Sequence, residues 1–286
     1  MAYRLMAVDV DGTLLNSSGI LTKKTEEAIK CGLKKGLIFV ISTGRPAEAV
    51  QSIVEKLNED LPIIAYNGAL VVLGKSGDVL YKCTMKPKDA KTIVDLGEEF
   101  DTNIVLWVDG KLYANKLNDL VYEYSKITGI SPILIEDIEE VVSKEVLKIL
   151  WYDKIEAVEE YKKRIDEHFA GSKDISDNEQ LKQNLYEIRD RINYHTSQPY
   201  FLEFVDRNAS KAKAMEKLGE HFGIKREEMI AVGDGYNDLS MIEFAGLGIA
   251  MGNACGEIKS KADYVTLSND EDGLANVINK FVLGKD

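Results

Sequence analysis

Two aspartates one residue apart, Asp9 and Asp11, end an apolar run and are followed at once by Gly12-Thr13. Neighbouring carboxylates repel, and a divalent cation relieves that repulsion because hard metals such as Mg²⁺ favour carboxylate oxygen. A second acidic pair, Asp234 and Asp238, lies in Gly233-Asp234-Gly235-Tyr236-Asn237-Asp238, and this separation on an entering helix keeps both on one side. Thr43-Gly44 precedes Arg45-Pro46, where a hydroxyl and the N–H groups of a helix start suit an anion. Lys211 opens a helical stretch, against the preference for negative charge at that end. Taken singly, each feature has a plain structural reading: an acidic turn, a Gly/Asn/Asp loop, a threonine cap, a surface lysine. Chemistry requires that the chain bring them to one place.

The elements that would position them point that way. Leu5-Met6-Ala7-Val8 suits a strand buried on both faces of a parallel sheet. Open α/β sheets hold ligands beyond the carboxyl ends of such strands. A helix capped by Thr22 and stopped at Gly36, the strand Leu37–Ile41, a helix from Pro46 to about Leu57 and the strand Ile63–Tyr66 follow. This rhythm is α/β. It returns late in the chain, where Ser210 caps a helix from Lys211 to Phe222 that Gly223 ends. Strands Met229–Val232, Leu247–Ala250 and Tyr264–Leu267 come next, and a last helix, Leu274–Phe281, is expected to start at Asp272. Four strand ends would then deliver Asp9 and Asp11, Thr43, Lys211, and Asp234 and Asp238 to one rim.

The middle has another character. Leu70–Leu73 and Val79–Tyr81 read as a hairpin; Gly74-Lys75-Ser76 between them lacks the upstream glycine of a phosphate loop and leads into a strand. Helices are expected at Pro87–Phe100, Leu117–Thr128 and Lys154–Phe169. Strands are expected at Asn103–Val108, Lys111–Asn115, Val146–Tyr152, Asn184–Arg189 and Tyr200–Val205. Strand pairs with tight turns imply a mainly antiparallel sheet with helices on one face. The fold class is therefore α/β: a Rossmann-like, mainly parallel core from residues 1–83 and 207–286, with an α+β domain, 84–206, inserted in it.

A formal charge of −12 argues against a nucleic-acid or anionic-membrane binder. No apolar run reaches the length of about 18 residues that a membrane span needs, and the N-terminal strand runs into aspartates instead of a signal-peptide layout. Cys31, Cys83 and Cys255 are widely spaced and form no CxxC, which fits reduced thiols and a cytoplasmic protein. His168, His195 and His221 match no motif and receive no role.

As a set, Asp9-Val10-Asp11-Gly12-Thr13, Thr43, Lys211 and Gly233-Asp234 through Asp238 resemble the haloacid dehalogenase-type phosphohydrolases over essentially the whole chain. Thr43-Gly44-Arg45-Pro46, Asn67-Gly68-Ala69, Phe201-Leu202-Glu203 and the long insert look like the Cof-type sugar-phosphatase branch with its large α/β cap. Ala212 departs from the glycine usual after the lysine, which blurs the fit around the phosphate. The resemblance implies that Asp9 is the nucleophile, giving an aspartyl phosphate, and Asp11 the general acid and base. Mg²⁺ would be held by Asp9, the Asp11 carbonyl and Asp234, with Asp238 supporting. Thr43, Gly44, Lys211 and Asn237 would hold the phosphoryl oxygens, and Arg45 and Asn67 would touch the substrate or the cap. The implied activity is Mg²⁺-dependent hydrolysis of small phosphorylated metabolites, sugar phosphates foremost. A phosphomutase shares these motifs. A non-catalytic phospho-ligand regulator is disfavoured because it has no need of both Asp9 and Asp11. The particular substrate and the oligomeric state are not legible.

Overall fold

The computed structural model describes residues 3–285, and the elements and counts below refer to these residues. The chain divides into two compact units, one of Met1–Lys82 with Ala209–Asp286, the other Cys83–Asn208.

The first unit opens with β1 (Leu5–Asp9), α1 (Lys23–Lys34), β2 (Ile38–Ser42), α2 (Gln51–Leu57), β3 (Pro62–Ala65), β4 (Leu70–Leu73) and β5 (Val79–Lys82). Every residue of β1 is buried, as a central strand requires. Thr22 caps α1, its hydroxyl accepting from the Thr25 N–H at 3.2 Å. Pro46 does not begin α2 directly: a 3-10 turn, Ala47–Val50, intervenes. Proline's fixed φ and missing N–H suit such an entry as well as a first helical turn.

The second unit contains α3 (Pro87–Glu99), β6 (Asn103–Val108), β7 (Lys111–Ala114), α4 (Asp119–Thr128), β8 (Pro132–Leu134), α5 (Ile138–Val142) and β9 (Val146–Tyr152). It continues with α6 (Ile155–Phe169), α7 (Glu179–Ile188), β10 (Ile192–Gln198) and β11 (Phe201–Asp206). Its six strands run in the order β10-β11-β9-β6-β7-β8, antiparallel except for the parallel β7–β8 pair. Asn184–Arg189, expected as a strand, closes helix α7 instead. Asn178 caps that helix, and Leu181, Leu185 and Ile188 bury on one helical face. Six residues around Asn184 are too few to display that period. The sheet's helices also do not all lie on one face. Leu106 and Val108 pack into the core shared with α3, α6 and α7, whereas Trp107, which alternates with them, donates from Nε1 to the hydroxyl of Tyr124 in α4 at 2.9 Å.

The first unit resumes with α8 (Lys211–Phe222), β12 (Met229–Gly233), α9 (Leu239–Phe244), β13 (Leu247–Ala250), α10 (Gly256–Lys261), β14 (Tyr264–Val265) and α11 (Gly273–Val277). Gly223 ends α8 in the left-handed conformation, φ 62°. Asp272, expected to cap the last helix, turns its side chain away to accept from the Thr22 hydroxyl at 2.5 Å, so it ties α11 to α1. The eight strands run β14-β13-β12-β1-β2-β3-β4-β5 and are parallel from β14 to β3. Side chains of β1, β2 and β12 pack with Ala214, Met215 and Leu218 of α8. Strand order reverses at β1: the chain runs outward through β2 and β3 on one side and through β12, β13 and β14 on the other. Such a switch point leaves a crevice at the strands' carboxyl ends. Register brings those ends level, since Asp9 pairs with Ser42 and Gly233 with Ala250. Among the described residues no helix is long and apolar enough to cross a membrane.

Candidate active site at the strand ends

Asp9 is the last residue of β1 and is buried. Its Oδ1 accepts from Lys211 Nζ at 2.6 Å, and the same ammonium donates to Asp238 Oδ1 at 2.6 Å. Lys211 begins α8 just after the Ser210 cap. A lysine there opposes the helix dipole, and the two carboxylates offset that cost. Burial alone would lower its pKa, but Asp238 and Asp9 outweigh burial and hold it well above the ordinary lysine range.

Asp234 follows β12, and Asp238 lies at the start of α9. Both Asp238 oxygens are engaged, since Oδ2 accepts from the N–H groups of Asp234 at 3.0 Å and Gly235 at 2.9 Å. Asp238 thereby shapes the loop that presents Asp234. Asp9, Asp234 and Asp238 each offer an oxygen within 4.8 Å of the others. Burial raises the Asp9 pKa well above the carboxylate range, with the Asp238 and Asp234 charges adding to it and Lys211 opposing. Burial likewise raises Asp234 to about 6, although a hydrogen bond from Thr13 opposes the shift. Desolvated acids that outnumber their one buried cation are the donor set a hard divalent ion suits. Gly12 keeps this cradle open: it has φ +85°, and a Cβ there would lie 2.4 Å from Asp234 Oδ2.

Thr43 is buried just past β2. Its hydroxyl accepts from the Arg45 N–H at 3.0 Å and its carbonyl from the Asn67 N–H at 3.0 Å. Asn67 Oδ1 accepts from Asn237 Nδ2 at 3.2 Å, linking the turn after β3 to the Asp234 loop. Tyr66 and Asn67 have φ of 50° and 55°, and Gly68 has φ +105°. Consecutive left-handed residues, one of them aromatic, mark a strained turn of the kind that gathers at binding sites. A Cβ on Gly44 would lie 3.0 Å from Asn67 Oδ1, so this loop also approaches closely.

Asp11 and Arg45 are joined to each other. The resemblance gives Asp11 the acid–base role and sets Arg45 at the substrate or the cap; in the structure the two side chains pair. Arg45 Nε donates to Asp11 Oδ2 at 2.8 Å and its Nη2 to Oδ1 at 2.6 Å. Two residues past Asp9 the chain has left the sheet, and the Asp11 side chain is half exposed, within reach of the arginine that follows β2.

Two supporting residues escaped the sequence reading. Thr13 donates from Oγ1 to Asp234 Oδ1 at 2.7 Å. Asn253 donates from Nδ2 to the Gly12 carbonyl at 2.8 Å and to Asp234 Oδ2 at 3.3 Å, while its Oδ1 accepts from the Asn269 N–H at 3.0 Å. The available signals were Thr13's place inside the acidic motif and a Gly252-Asn253 turn just after a parallel strand.

An α/β core with acidic groups at its switch point is the architecture of a hydrolase whose profile, that of the haloacid dehalogenase-like hydrolases, matches residues 6–278. The chain belongs to that family. It is similar to the 5-amino-6-(5-phospho-D-ribitylamino)uracil phosphatase YwtE of Bacillus subtilis strain 168, with 30% identity covering 99% of each chain. Among solved structures it is similar to TM0651 from Thermotoga maritima, with TM-score 0.81 and 30% identity over 97% of each chain. It is also similar to the subclass IIB sugar phosphatase BT4131, with TM-score 0.76 and 26% identity over 97% of this chain and 98% of that one. Within the family the chain is a Cof-type phosphatase.

Proposed function

We propose that the chain is a Mg²⁺-dependent phosphatase of small phosphorylated metabolites, acting through an aspartyl phosphate on Asp9. Phosphatases of this family typically use a divalent metal. Asp9 and Asp234, with the Asp11 carbonyl, would hold it, and bound there it would neutralise charge on both carboxylate and phosphate. Asp9 would attack phosphorus as the bond to the leaving oxygen breaks, and Asp11 would give that oxygen a proton. Asp11 would then take a proton from the water that hydrolyses the acyl phosphate. Thr43, the Gly44 N–H, Asn237 and Lys211 would receive the phosphoryl oxygens, and Asp238 would keep Lys211 charged and aimed. Sugar phosphates are the favoured substrate class, because BT4131 is named a sugar phosphatase and YwtE acts on a phosphorylated ribityl compound. In this reading the unit Cys83–Asn208 is the cap that selects the leaving group.

The observation that carries the reading is one buried ammonium bridging Asp9 and Asp238 at 2.6 Å each, with an Asp234 oxygen alongside. Phosphate release from a panel of phosphorylated metabolites tests it. Activity is expected with Mg²⁺ and to fall at least about 100-fold in excess chelator. Asp9→Asn should remove at least about 10⁴-fold of kcat while the protein stays folded, in line with loss of a nucleophile. Turnover surviving in Asp9→Asn overturns the nucleophile; full activity in chelator overturns the metal.

A further inference from the structure

We propose that Arg45 is a positioning residue for Asp11, fixing the carboxylate that serves the leaving oxygen. The inference rests on the phosphatase reading and assigns the arginine to the acid, not to the phosphate or the substrate's remainder. Two nitrogens on one edge of the guanidinium, Nε and Nη2, donate to the two Asp11 oxygens, at 2.8 and 2.6 Å. A two-pronged grip of this kind fixes the plane of a carboxylate as well as its distance. Arg45 is itself held at both backbone groups. Its N–H donates to the Thr43 hydroxyl at 3.0 Å, and its carbonyl accepts from the Tyr66 N–H at 3.1 Å. The guanidinium is therefore anchored to β2's end and to the strained turn after β3, which also carries Asn67.

Stability is a small part of the account of the pair. Both side chains are about half exposed, at 47% and 55%, where solvent and salt screen the attraction, although a two-pronged arginine–carboxylate contact is the stronger kind of surface ion pair. Asp11, by contrast, lies past the end of β1, outside the sheet and in an isolated bridge with Leu15. A loop-borne acid needs an external brace, and general acid catalysis is sensitive to placement within hydrogen-bond reach. In the transfer step Asp9 Oδ bonds to phosphorus and the phosphorus–oxygen bond to the leaving group breaks; Asp11, protonated on one oxygen in place of one guanidinium hydrogen bond and still held at the other, gives that proton to the leaving oxygen.

The test exploits leaving-group basicity. Phenyl phosphate releases an oxygen with a conjugate-acid pKa of about 10, like tyrosine's, whereas p-nitrophenolate is far less basic and departs with little help. kcat/KM for the two esters reports phosphoryl transfer to Asp9 in each variant. Arg45→Ala is expected to lower kcat/KM at least about tenfold more for phenyl than for p-nitrophenyl phosphate, within the range general acids contribute. Arg45→Lys keeps the charge but loses the two-pronged grip, and should give a smaller loss with the same dependence. In an Asp11→Asn background Arg45→Ala should add nothing. Melting temperatures of the variants should stay within a few degrees of the parent. Equal losses on both esters would make Arg45 a phosphate contact and overturn the inference, as would no loss on either. Should Asp11→Asn itself not discriminate between the esters, the acid assignment falls and this inference with it; discrimination by Asp11→Asn but not by either Arg45 variant overturns the inference alone.

Discussion

Asp234 shows how one residue's surroundings become a measurable property. Burial lifts its pKa from 3.8 to about 6, so the folded chain holds that proton more tightly than the unfolded one. The sign follows: its stabilising effect is complete below about pH 4, where both states are protonated, and is lost as pH rises through about 6. A divalent cation binds the charged form and reverses the loss. In metal-free protein the transition of the unit that carries Asp234 should therefore lie lower at pH 7.5 than at pH 5. Mg²⁺ at about 100 times its Kd should raise the pH 7.5 melting temperature by about 5–10 °C, from the binding linkage and the usual entropy of unfolding. The rise should be smaller at pH 5, and Asp234→Asn should remove most of it. Differential scanning calorimetry with and without chelator checks this; an equal Mg²⁺ effect at both pH values and in the variant contradicts it.

At the scale of elements, the site depends on how closely the turn after β3 meets the start of α8. A Cβ on Gly68 would lie 2.2 Å from the Ser210 carbonyl oxygen and 2.9 Å from the Lys211 nitrogen, all backbone atoms that cannot swing aside. Gly68 also has φ +105°. Gly68→Ala should therefore cost about 2–4 kcal/mol from overpacking and backbone strain together, seen as a lower urea midpoint. Because the displaced backbone carries Lys211, activity should fall in the protein that remains folded; a variant as stable and active as the parent would contradict this packing. The same contact marks what can be read from sequence and what cannot. Apolar runs ended by Asp9, Ser42 and Gly233 announce strands whose polar ends share a rim, and a lysine against a helix dipole stands out as unusual without naming its partners. These are local patterns of type and spacing. Pairs made across the chain carry no such pattern, so Asp11–Arg45 and Asn253–Asp234 appear only once the loops are folded. In α7 a six-residue window around Asn184 conceals the period that Leu181, Leu185 and Ile188 display over the full helix. The 3-10 entry before α2 and the tie from Asp272 to Thr22 were hidden for another reason: cap residues are compatible with several local geometries, and tertiary partners choose among them.

At the scale of the whole molecule, each unit has an apolar core of its own, and burial shifts their titratable groups so that the expected pH responses are opposite. In the unit Met1–Lys82 with Ala209–Asp286, Asp9 and Asp234 are raised, so metal-free stability grows as pH falls through about 6. In Cys83–Asn208 the relevant groups are bases. His168 has no exposed surface and packs against Tyr186 with ring centroids 4.5 Å apart and the planes tilted at 47°, and burial lowers its pKa from 6.5. Burial lowers His195 too, with the nearby Lys148 ammonium adding and Glu203 opposing. For a base held neutral by folding, stability is present above the unfolded value near 6.5 and drains away as pH falls below it, because the unfolded chain takes the proton more readily. Glu203, lowered by Lys148 and His195 against the effect of burial, adds an acid-side loss only below about 4.5. Metal-free protein moved from pH 7.5 to pH 5.5 should thus strengthen in one unit and weaken in the other. Amide hydrogen exchange, corrected for intrinsic rates, resolves the two: opening free energies should rise in β1, β2 and β12 and fall in β9, β11 and α6. His168→Phe should blunt the fall in the second unit and leave the rise in the first. Shifts of the same sign in both units would show that these buried groups do not govern the acid response, and that the two cores unfold as one cooperative body.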